Sequence, residues 1–199
     1  MTKIKLCGLK RIADIQAVNQ LKPDYIGFVF APKSKRCISQ EMAADLRSIL
    51  DPDITAVGVF VNEEPETVAR LLNSGIIDAA QLHGTEDESY LGKLKELTDK
   101  PLVKAFRIRE KADLITAQTS SADCVLLDAG AGDGITFDWD LLDHFDRPYF
   151  LAGGLTPENV HRAIECCHPY AVDVSSGIET GGYKDKIKME AFVLAVRGK

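Results

Sequence analysis

Eight short apolar segments recur along the chain, each separated from the next by a longer stretch of mixed polarity. The segments are continuous runs rich in Val, Ile, Leu and Phe, which is typical of parallel strands covered on both faces. They span residues 4–9, 25–30, 56–61, 79–83, 102–107, 124–128, 149–152 and 171–175. In the stretches between them apolar residues recur at helical spacings, so the pattern predicts an alternation of strand and helix from end to end.

Helix start signals support this alternation. Ser39 is predicted to cap one helix, and Pro65 suits the first turn of the next. Thr85 with Glu88 three residues later has the sequence of a capping box. Thr156-Pro157, directly after the seventh apolar run, predicts a further helix start at that point.

The number and length of the repeating units indicate the fold. Eight strand–helix units in 199 residues average about 25 residues each, so the connections must be near minimal for a (β/α)8 barrel. No linker divides the chain, and we predict a compact α/β protein, a single-domain (β/α)8 TIM barrel over residues 1–199. The alternative, an open doubly wound sheet, needs a G-x-G-x-x-G turn after its first strand. The nearest candidate, 130–134, follows the sixth strand and has Ile135 in place of the third glycine.

Composition and charge exclude several classes of protein. Hydrophobic residues at 45% and charged residues at 27% are globular values, and the net charge of −6 argues against nucleic-acid binding. The five cysteines are odd in number and lack a C-x-x-C pair, so neither a disulfide framework nor a metal site is expected. No signal peptide opens the chain and no apolar run is long enough to span a membrane. We therefore expect a cytoplasmic protein with no membrane partner.

Two segments near the end of the chain, 150–155 and 172–177, are apolar runs that break into small residues. A strand, a glycine turn and a helix start leave backbone N–H groups free to bind an anion, most often phosphate. Two such turns after the last two strands are typical of a phosphate-binding barrel. The residues predicted to form this site are Gly153, Gly154, Ser175, Ser176 and Gly177.

Polar residues at the carboxyl ends of the predicted strands are the candidates for substrate contact. They are Cys7, Arg36, His83, Asp128 and Asp173. A thiol that is partly ionised can act as a base, and a carboxyl group between apolar walls can retain a proton and act as an acid. Cys7 and Asp128 are therefore predicted to divide the base and acid roles. His83 is predicted either to face the ligand or to be a hydrogen-bonded structural residue.

Motifs of a known family occur in order along the whole chain. They are Lys5-Leu6-Cys7-Gly8-Leu9, Gly27-Phe28-Val29-Phe30, Ser34-Lys35-Arg36-Cys37-Ile38-Ser39, Val57-Gly58-Val59-Phe60-Val61-Asn62, Gln81-Leu82-His83-Gly84, Leu126-Leu127-Asp128, Leu151-Ala152-Gly153-Gly154-Leu155-Thr156-Pro157-Glu158 and Asp173-Val174-Ser175-Ser176-Gly177-Ile178-Glu179. In their order and spacing these motifs resemble phosphoribosylanthranilate isomerase, an enzyme family of tryptophan biosynthesis. No single motif would be sufficient to indicate this family.

The resemblance implies a cofactor-free (β/α)8 barrel that converts N-(5-phosphoribosyl)anthranilate into 1-(2-carboxyphenylamino)-1-deoxyribulose 5-phosphate by an Amadori rearrangement. It implies that Asp128 is the general acid, that Cys7 is the general base and that Arg36 binds the anthranilate carboxylate. The glycine and serine turns would hold the 5′-phosphate, with Gly181 or Gly182 closing the loop. We further predict that Asp173 orients the base or a sugar hydroxyl.

The sequence departs from the family in the loop after the sixth strand. The family usually has Gly-Gly-Thr/Ser-Gly before Phe-Asp-Trp, whereas this chain has Gly130-Ala131-Gly132-Asp133-Gly134. An acidic residue at 133 is unexpected beside an anionic substrate. The departure leaves the proposed acid and base unchanged.

Two other functions stay open on the sequence alone. A related histidine-pathway sugar isomerase would be expected to have Asp on strand one and a second phosphate turn midway, where this chain has Cys7 and Gln81-Leu82-His83-Gly84. A non-catalytic phosphate-binding barrel would need no acid–base pair. The predicted partner is a small phosphorylated molecule, and both a monomer and a homodimer are compatible with the sequence.

Overall fold

The protein is described by a computed structural model that covers residues 1–128, 142 and 145–198. The predicted loop 130–134, with Asp133, lies outside the described residues. Eight parallel strands, β1–β8, form a closed barrel in sequence order. They are Lys3–Cys7, Tyr25–Val29, Thr55–Phe60, Ala79–Leu82, Leu102–Arg107, Cys124–Asp128, Tyr149–Ala152 and Ala171–Val174. The predicted (β/α)8 barrel is therefore confirmed.

Seven helices, α1–α7, are present among the described residues and follow the strands. They are Ile12–Leu21, Gln40–Ser48, Pro65–Asn73, Glu88–Leu97, Lys111–Thr119, Val160–Cys167 and Lys186–Arg197. Two short antiparallel strands, β9 (Glu179–Thr180) and β10 (Tyr183–Lys184), form a hairpin between β8 and α7. Within the described ranges, no helix is both long and apolar enough to cross a membrane.

The predicted helix starts were correct at two positions and wrong at two. Ser39 caps α2 by accepting a hydrogen bond from the Met42 backbone, and Pro65 begins α3. The Thr85 capping box is wrong, because the chain enters α4 later and Asp87 caps it. A helix start at Thr156 is also wrong, because a turn follows that residue and α6 begins only at Val160.

The side chains of each strand alternate between the barrel interior and the layer of helices around it. Val103 and Ala105 of β5 pack inside the barrel with Leu126 and Phe150. Most of the hydrophobic core lies outside the barrel, between the strands and the helices. Lys104 lies between these two residues on β5, so its side chain points out of the barrel towards the helix layer.

Candidate active site

A cavity of about 310 Å³ opens at the carboxyl ends of the strands, where the barrel fold places its functional loops. All the predicted site residues except Gly177 line it. They are Cys7, Arg36, His83, Asp128, Gly153, Gly154, Asp173, Ser175 and Ser176. The fold therefore brings together residues from both ends of the chain.

A second cavity, of about 490 Å³, lies beside the start of β7 and is lined by residues such as Arg147, Tyr149 and Tyr170. It contains none of the predicted site residues. This cavity is at the end of the barrel where the strands begin. Barrel enzymes have their active sites at the opposite end, so this cavity is not the candidate site.

Cys7 is the last residue of β1 and is buried, with 7% of its surface exposed. Gly27 on the neighbouring strand leaves room for the thiol, since a Cβ there would lie 2.5 Å from Cys7 Sγ. Burial raises the pKa of the thiol, the charges of Lys5 and Lys184 oppose this, and that of Asp173 adds to it. Burial has the larger effect, so the net shift of the thiol pKa is upward.

Lys5 lies two residues before Cys7 and is 1% exposed. Its Nζ donates to Asp173 Oδ2 at 2.9 Å, across the β1–β8 pairing in which these two residues are partners. Burial lowers the pKa of Lys5, but the charges of Asp173 and Cys7 outweigh it and leave the pKa raised. The second carboxylate oxygen, Asp173 Oδ1, is buried and has no hydrogen-bond partner. This oxygen can accept a hydrogen bond from a ligand hydroxyl, since Asp173 lines the cavity.

His83 connects two other polar side chains of the cavity. The Gln81 amide nitrogen donates to His83 Nδ1 at 3.0 Å, which leaves the ring hydrogen on Nε2. His83 Nε2 then donates to Asp128 Oδ2 at 3.2 Å. Gln81 is 2% exposed, and its amide oxygen is buried without a partner. His83 thus lines the cavity and is also hydrogen-bonded, and its contact with a ligand stays a prediction.

Arg36, in the loop after β2, is held by a bidentate pair with Glu179. Its Nε donates to Glu179 Oε1 at 2.7 Å and its Nη2 donates to Oε2 at 2.8 Å. Lys184 approaches the same carboxylate at 2.6 Å and also donates to the backbone oxygen of Ser175 at 2.9 Å. Burial would raise the pKa of Glu179, but hydrogen bonds from Arg36 and Lys184 and their charges lower it to about 2.

The predicted phosphate turns meet at one edge of the cavity. Gly153 and Gly154 have φ angles of 100° and 64°, a left-handed conformation that favours glycine, and a Cβ on Gly154 would meet only open space. Gly177 is different, since a Cβ there would lie 2.0 Å from the Leu155 backbone oxygen. Gly177 therefore lets the loop after β8 pack against the loop after β7 and does not itself line the cavity. The Asn159 side chain fixes the first loop by donating to the Gly154 oxygen.

Sequence reasoning missed four residues of this network. Lys5, Gln81, Glu179 and Lys184 all support a side chain that lines the cavity, and three of them belong to motifs quoted above without a role. For Lys5 a signal was available, because a lysine within an apolar strand run is costly to bury without a partner. Within the described ranges, no group of His, Cys, Asp or Glu is arranged to hold a metal ion. The absence of a metal or cofactor stays a prediction.

A closed eight-stranded parallel barrel with polar side chains gathered at the carboxyl ends of its strands defines the class: a (β/α)8-barrel enzyme. The family model for N-(5′-phosphoribosyl)anthranilate isomerase matches residues 4–195. The chain belongs to the phosphoribosylanthranilate isomerase family of tryptophan biosynthesis, and the resemblance predicted from the motifs is confirmed.

The relatives cover the full length of the chain. The N-(5′-phosphoribosyl)anthranilate isomerase of Endomicrobium trichonymphae is 48% identical, over 99% of each protein. The crystal structure of the Thermotoga maritima isomerase has a TM-score of 0.93 at 38% identity, over 100% of each chain. A phosphoribosylanthranilate isomerase solved with reduced 1-(o-carboxyphenylamino)-1-deoxyribulose 5-phosphate has a TM-score of 0.89 at 38% identity, over the same full coverage. None of these three matches supports either alternative function.

Proposed function

We propose that this protein catalyses the Amadori rearrangement of N-(5-phosphoribosyl)anthranilate, with Asp128 as the general acid and Cys7 as the general base. The observation that carries the proposal is that these two side chains line one cavity from β6 and β1, with the glycine and serine loops beside them. A small phosphorylated sugar held by those loops would present its ring to both groups. Family membership supports the same reaction.

In the first step, Asp128 gives a proton to the furanose ring oxygen. The C1–O bond breaks, the nitrogen lone pair forms the C1=N bond of a Schiff base, and the ring oxygen becomes a hydroxyl. In water an aspartic acid side chain titrates near 3.9 and is seldom protonated at neutral pH, so this step requires the site to keep Asp128 protonated. His83 Nε2–H is hydrogen-bonded to Asp128, so it stabilises the carboxylate that remains after the transfer.

In the second step, Cys7 removes the proton from sugar C2. The C2–H electrons form a C1=C2 bond and the iminium electrons return to nitrogen, giving an enolamine that tautomerises to the ketone. The ammonium group of Lys5 favours the thiolate form that this step requires, as does that of Lys184. Asp128 then regains a proton and Cys7 loses one to solvent, so the reaction is a net isomerisation.

The remaining side chains would hold the two ends of the substrate. Arg36 would pair with the anthranilate carboxylate, since a planar guanidinium matches that group in geometry and charge. The loops after β7 and β8 would hold the 5′-phosphate. Asp173 Oδ1 would accept a hydrogen bond from a sugar hydroxyl, because it is a buried carboxylate oxygen without a partner and Asp173 lines this cavity.

The test follows the decay of substrate fluorescence when the protein is mixed with phosphoribosylanthranilate generated in situ. Asp128→Asn and Cys7→Ser should each fold but lose kcat by roughly 10²–10⁴-fold, the range for a lost general acid or base. Cys124→Ser is the matched control, because that thiol lies on β6 away from the cavity lining. Normal turnover by Asp128→Asn would remove its assigned role, and normal turnover by Cys7→Ser would make Asp173 the first alternative base.

A further inference from the structure

The Glu179 carboxylate lies behind the cavity wall, between two cations. It does not line the cavity, whereas Arg36 and Ser175, the residues on either side of this network, do. Both of its oxygens accept hydrogen bonds from Arg36, and Lys184 Nζ also donates to Oε1. Glu179 therefore links the loop after β2 to the loop after β8 without reaching the ligand space itself.

The Arg36 side chain is fixed from two directions. Its aliphatic part packs over Gly8, where a Cβ would lie 2.5 Å from Arg36 Cδ. Gly8 has a φ of 83°, so the backbone at this position favours glycine and keeps the space available. At the other end of the side chain, the bidentate pair with Glu179 sets the plane of the guanidinium. A free arginine would have to lose much of its rotamer freedom to bind a ligand, and this one has already lost it.

The pair with Glu179 leaves donors available to a ligand. A guanidinium has five N–H groups, of which Glu179 engages one on Nε and one on Nη2. The other edge of the fork, formed by Nη1 and the outer hydrogen of Nη2, has the spacing that a second carboxylate needs. The charge is also suitable, because Arg36 and Lys184 contribute two positive charges and Glu179 one negative, so the network keeps a net charge of +1.

We propose that Glu179 is a positioning residue that orients Arg36 towards the carboxylate of the substrate's aromatic ring, and so makes the site select carboxylate-bearing ligands. The inference rests on the proposed function, in which Arg36 contacts that carboxylate. It assigns the selectivity to a residue that touches no ligand. Selectivity for the ring carboxylate should then depend on Glu179, while binding of the sugar phosphate should not.

The experiment measures binding of three ligands by calorimetry. The first is reduced 1-(o-carboxyphenylamino)-1-deoxyribulose 5-phosphate, the second is its counterpart made from aniline, which lacks the carboxylate, and the third is ribose 5-phosphate. Wild type should bind the first more tightly than the second. Glu179→Gln should weaken the first by at least about tenfold, the scale of a lost charged hydrogen-bond arrangement. It should change the other two by less than about twofold.

Two variants make the comparison specific. Glu86→Gln is the matched control, because it makes the same change in another glutamate–lysine pair outside the cavity lining, and it should leave all three affinities unchanged. Glu179→Asp keeps the charge but shortens the side chain, so it should give a smaller loss of carboxylate selectivity. If Glu179→Gln does not fold, Glu179→Asp provides the test.

The outcomes separate this inference from the proposed function. Equal weakening of all three ligands by Glu179→Gln, or no weakening at all, would overturn the positioning role and leave the proposed function standing. If wild type itself binds the first two ligands equally, the Arg36–carboxylate contact is absent, which overturns the positioning role of Glu179 and the assignment of Arg36. The roles of Asp128 and Cys7 are then still decided by turnover in the fluorescence assay.

Discussion

Among the described residues, two lysine–carboxylate pairs have both side chains buried, and they differ in how completely their hydrogen bonds are made. Lys104 points outwards from β5 and donates to Glu86 and to the backbone oxygen of Gly84, both at 2.9 Å. Glu86 in turn accepts from the backbone N–H groups of Gly84 and Asn62. Lys5 points inwards to Asp173 at the same distance of 2.9 Å, yet Asp173 Oδ1 has no partner.

The difference separates a structural ion pair from one that is prepared for a ligand. A native protein rarely leaves a buried carboxylate oxygen unpaired, because the desolvation is not compensated. Among the described residues, the buried side-chain atoms without a partner are Gln81 Oε1 and Asp173 Oδ1, and both residues line the same cavity. The incomplete pair therefore lies where a substrate is proposed to bind, and the complete pair lies where none is.

The largest expected effect is on stability, and it should be similar for the two pairs. Lys5→Met and Lys104→Met each leave a buried carboxylate without its cation, which should lower the free energy of unfolding by roughly 3–5 kcal/mol. Urea unfolding of each variant measures this.

The double variants then distinguish the pairs. Replacing both partners removes the uncompensated charge, so Lys5→Met/Asp173→Asn and Lys104→Met/Glu86→Gln should each recover part of the loss. Only the Lys104 double variant should retain turnover. Normal turnover by the Lys5 double variant would show that the two pairs are equivalent.

A smaller effect, on activity, should appear when each carboxylate is changed alone. Asp173→Asn should lower kcat/KM by about a hundredfold, close to 2.7 kcal/mol. The single amide oxygen would accept from Lys5, so an NH2 donor would replace the proposed acceptor for the sugar hydroxyl. Glu86→Gln should stay within about threefold of wild type at a temperature where it is folded. The fluorescence assay measures both, and equal values for the two variants would contradict a ligand role for Asp173.

Gln81→Met tests the second unpartnered atom and should have a smaller effect. Removing the amide deletes the donor that holds His83, so kcat/KM should fall by about tenfold. Stability should change by less than about 1 kcal/mol, because the variant also removes an unsatisfied buried oxygen. Nitrogen NMR of the ring should show a change in the His83 tautomer, which has its hydrogen on Nε2 in wild type. An unchanged tautomer would exclude Gln81 from this role.

The smallest effect is a pH dependence of the complete pair. Burial raises the pKa of Glu86, but hydrogen bonds from Lys104 and the Asn62 backbone outweigh it and leave the pKa below the ordinary 4.5. A lowered folded-state pKa stabilises the protein above 4.5, and this contribution is lost as the pH falls through the folded value. The stability advantage of wild type over Glu86→Gln should therefore decline as the pH falls below 4.5. Urea unfolding from neutral to acidic pH measures it, and a constant difference would mean that folding does not lower the pKa of Glu86.

The architecture could be predicted because it depends on local patterns. Continuous apolar runs identified all eight strands, and their ends were predicted within two residues. The largest error is in β1, which ends at Cys7 before Gly8, whereas the predicted run continued to residue 9. The helix starts were less certain, since several residues near a turn can provide the cap. Asp87 rather than Thr85 caps α4, for example.

The sequence by itself determined the barrel and the positions of the candidate side chains, because the carboxyl end of a parallel strand is a local property. Only the tertiary structure decided which side chains support them. Lys5 and Asp173 are 168 residues apart, and Arg36 and Glu179 are 143 apart, so no spacing in the sequence relates them. Closure of the barrel makes β1 a neighbour of β8, and that contact creates both the buried ion pair and its unpartnered oxygen. Hydrogen bonds between distant residues depend on this closure, whereas the apolar pattern that drives it is present in every local segment.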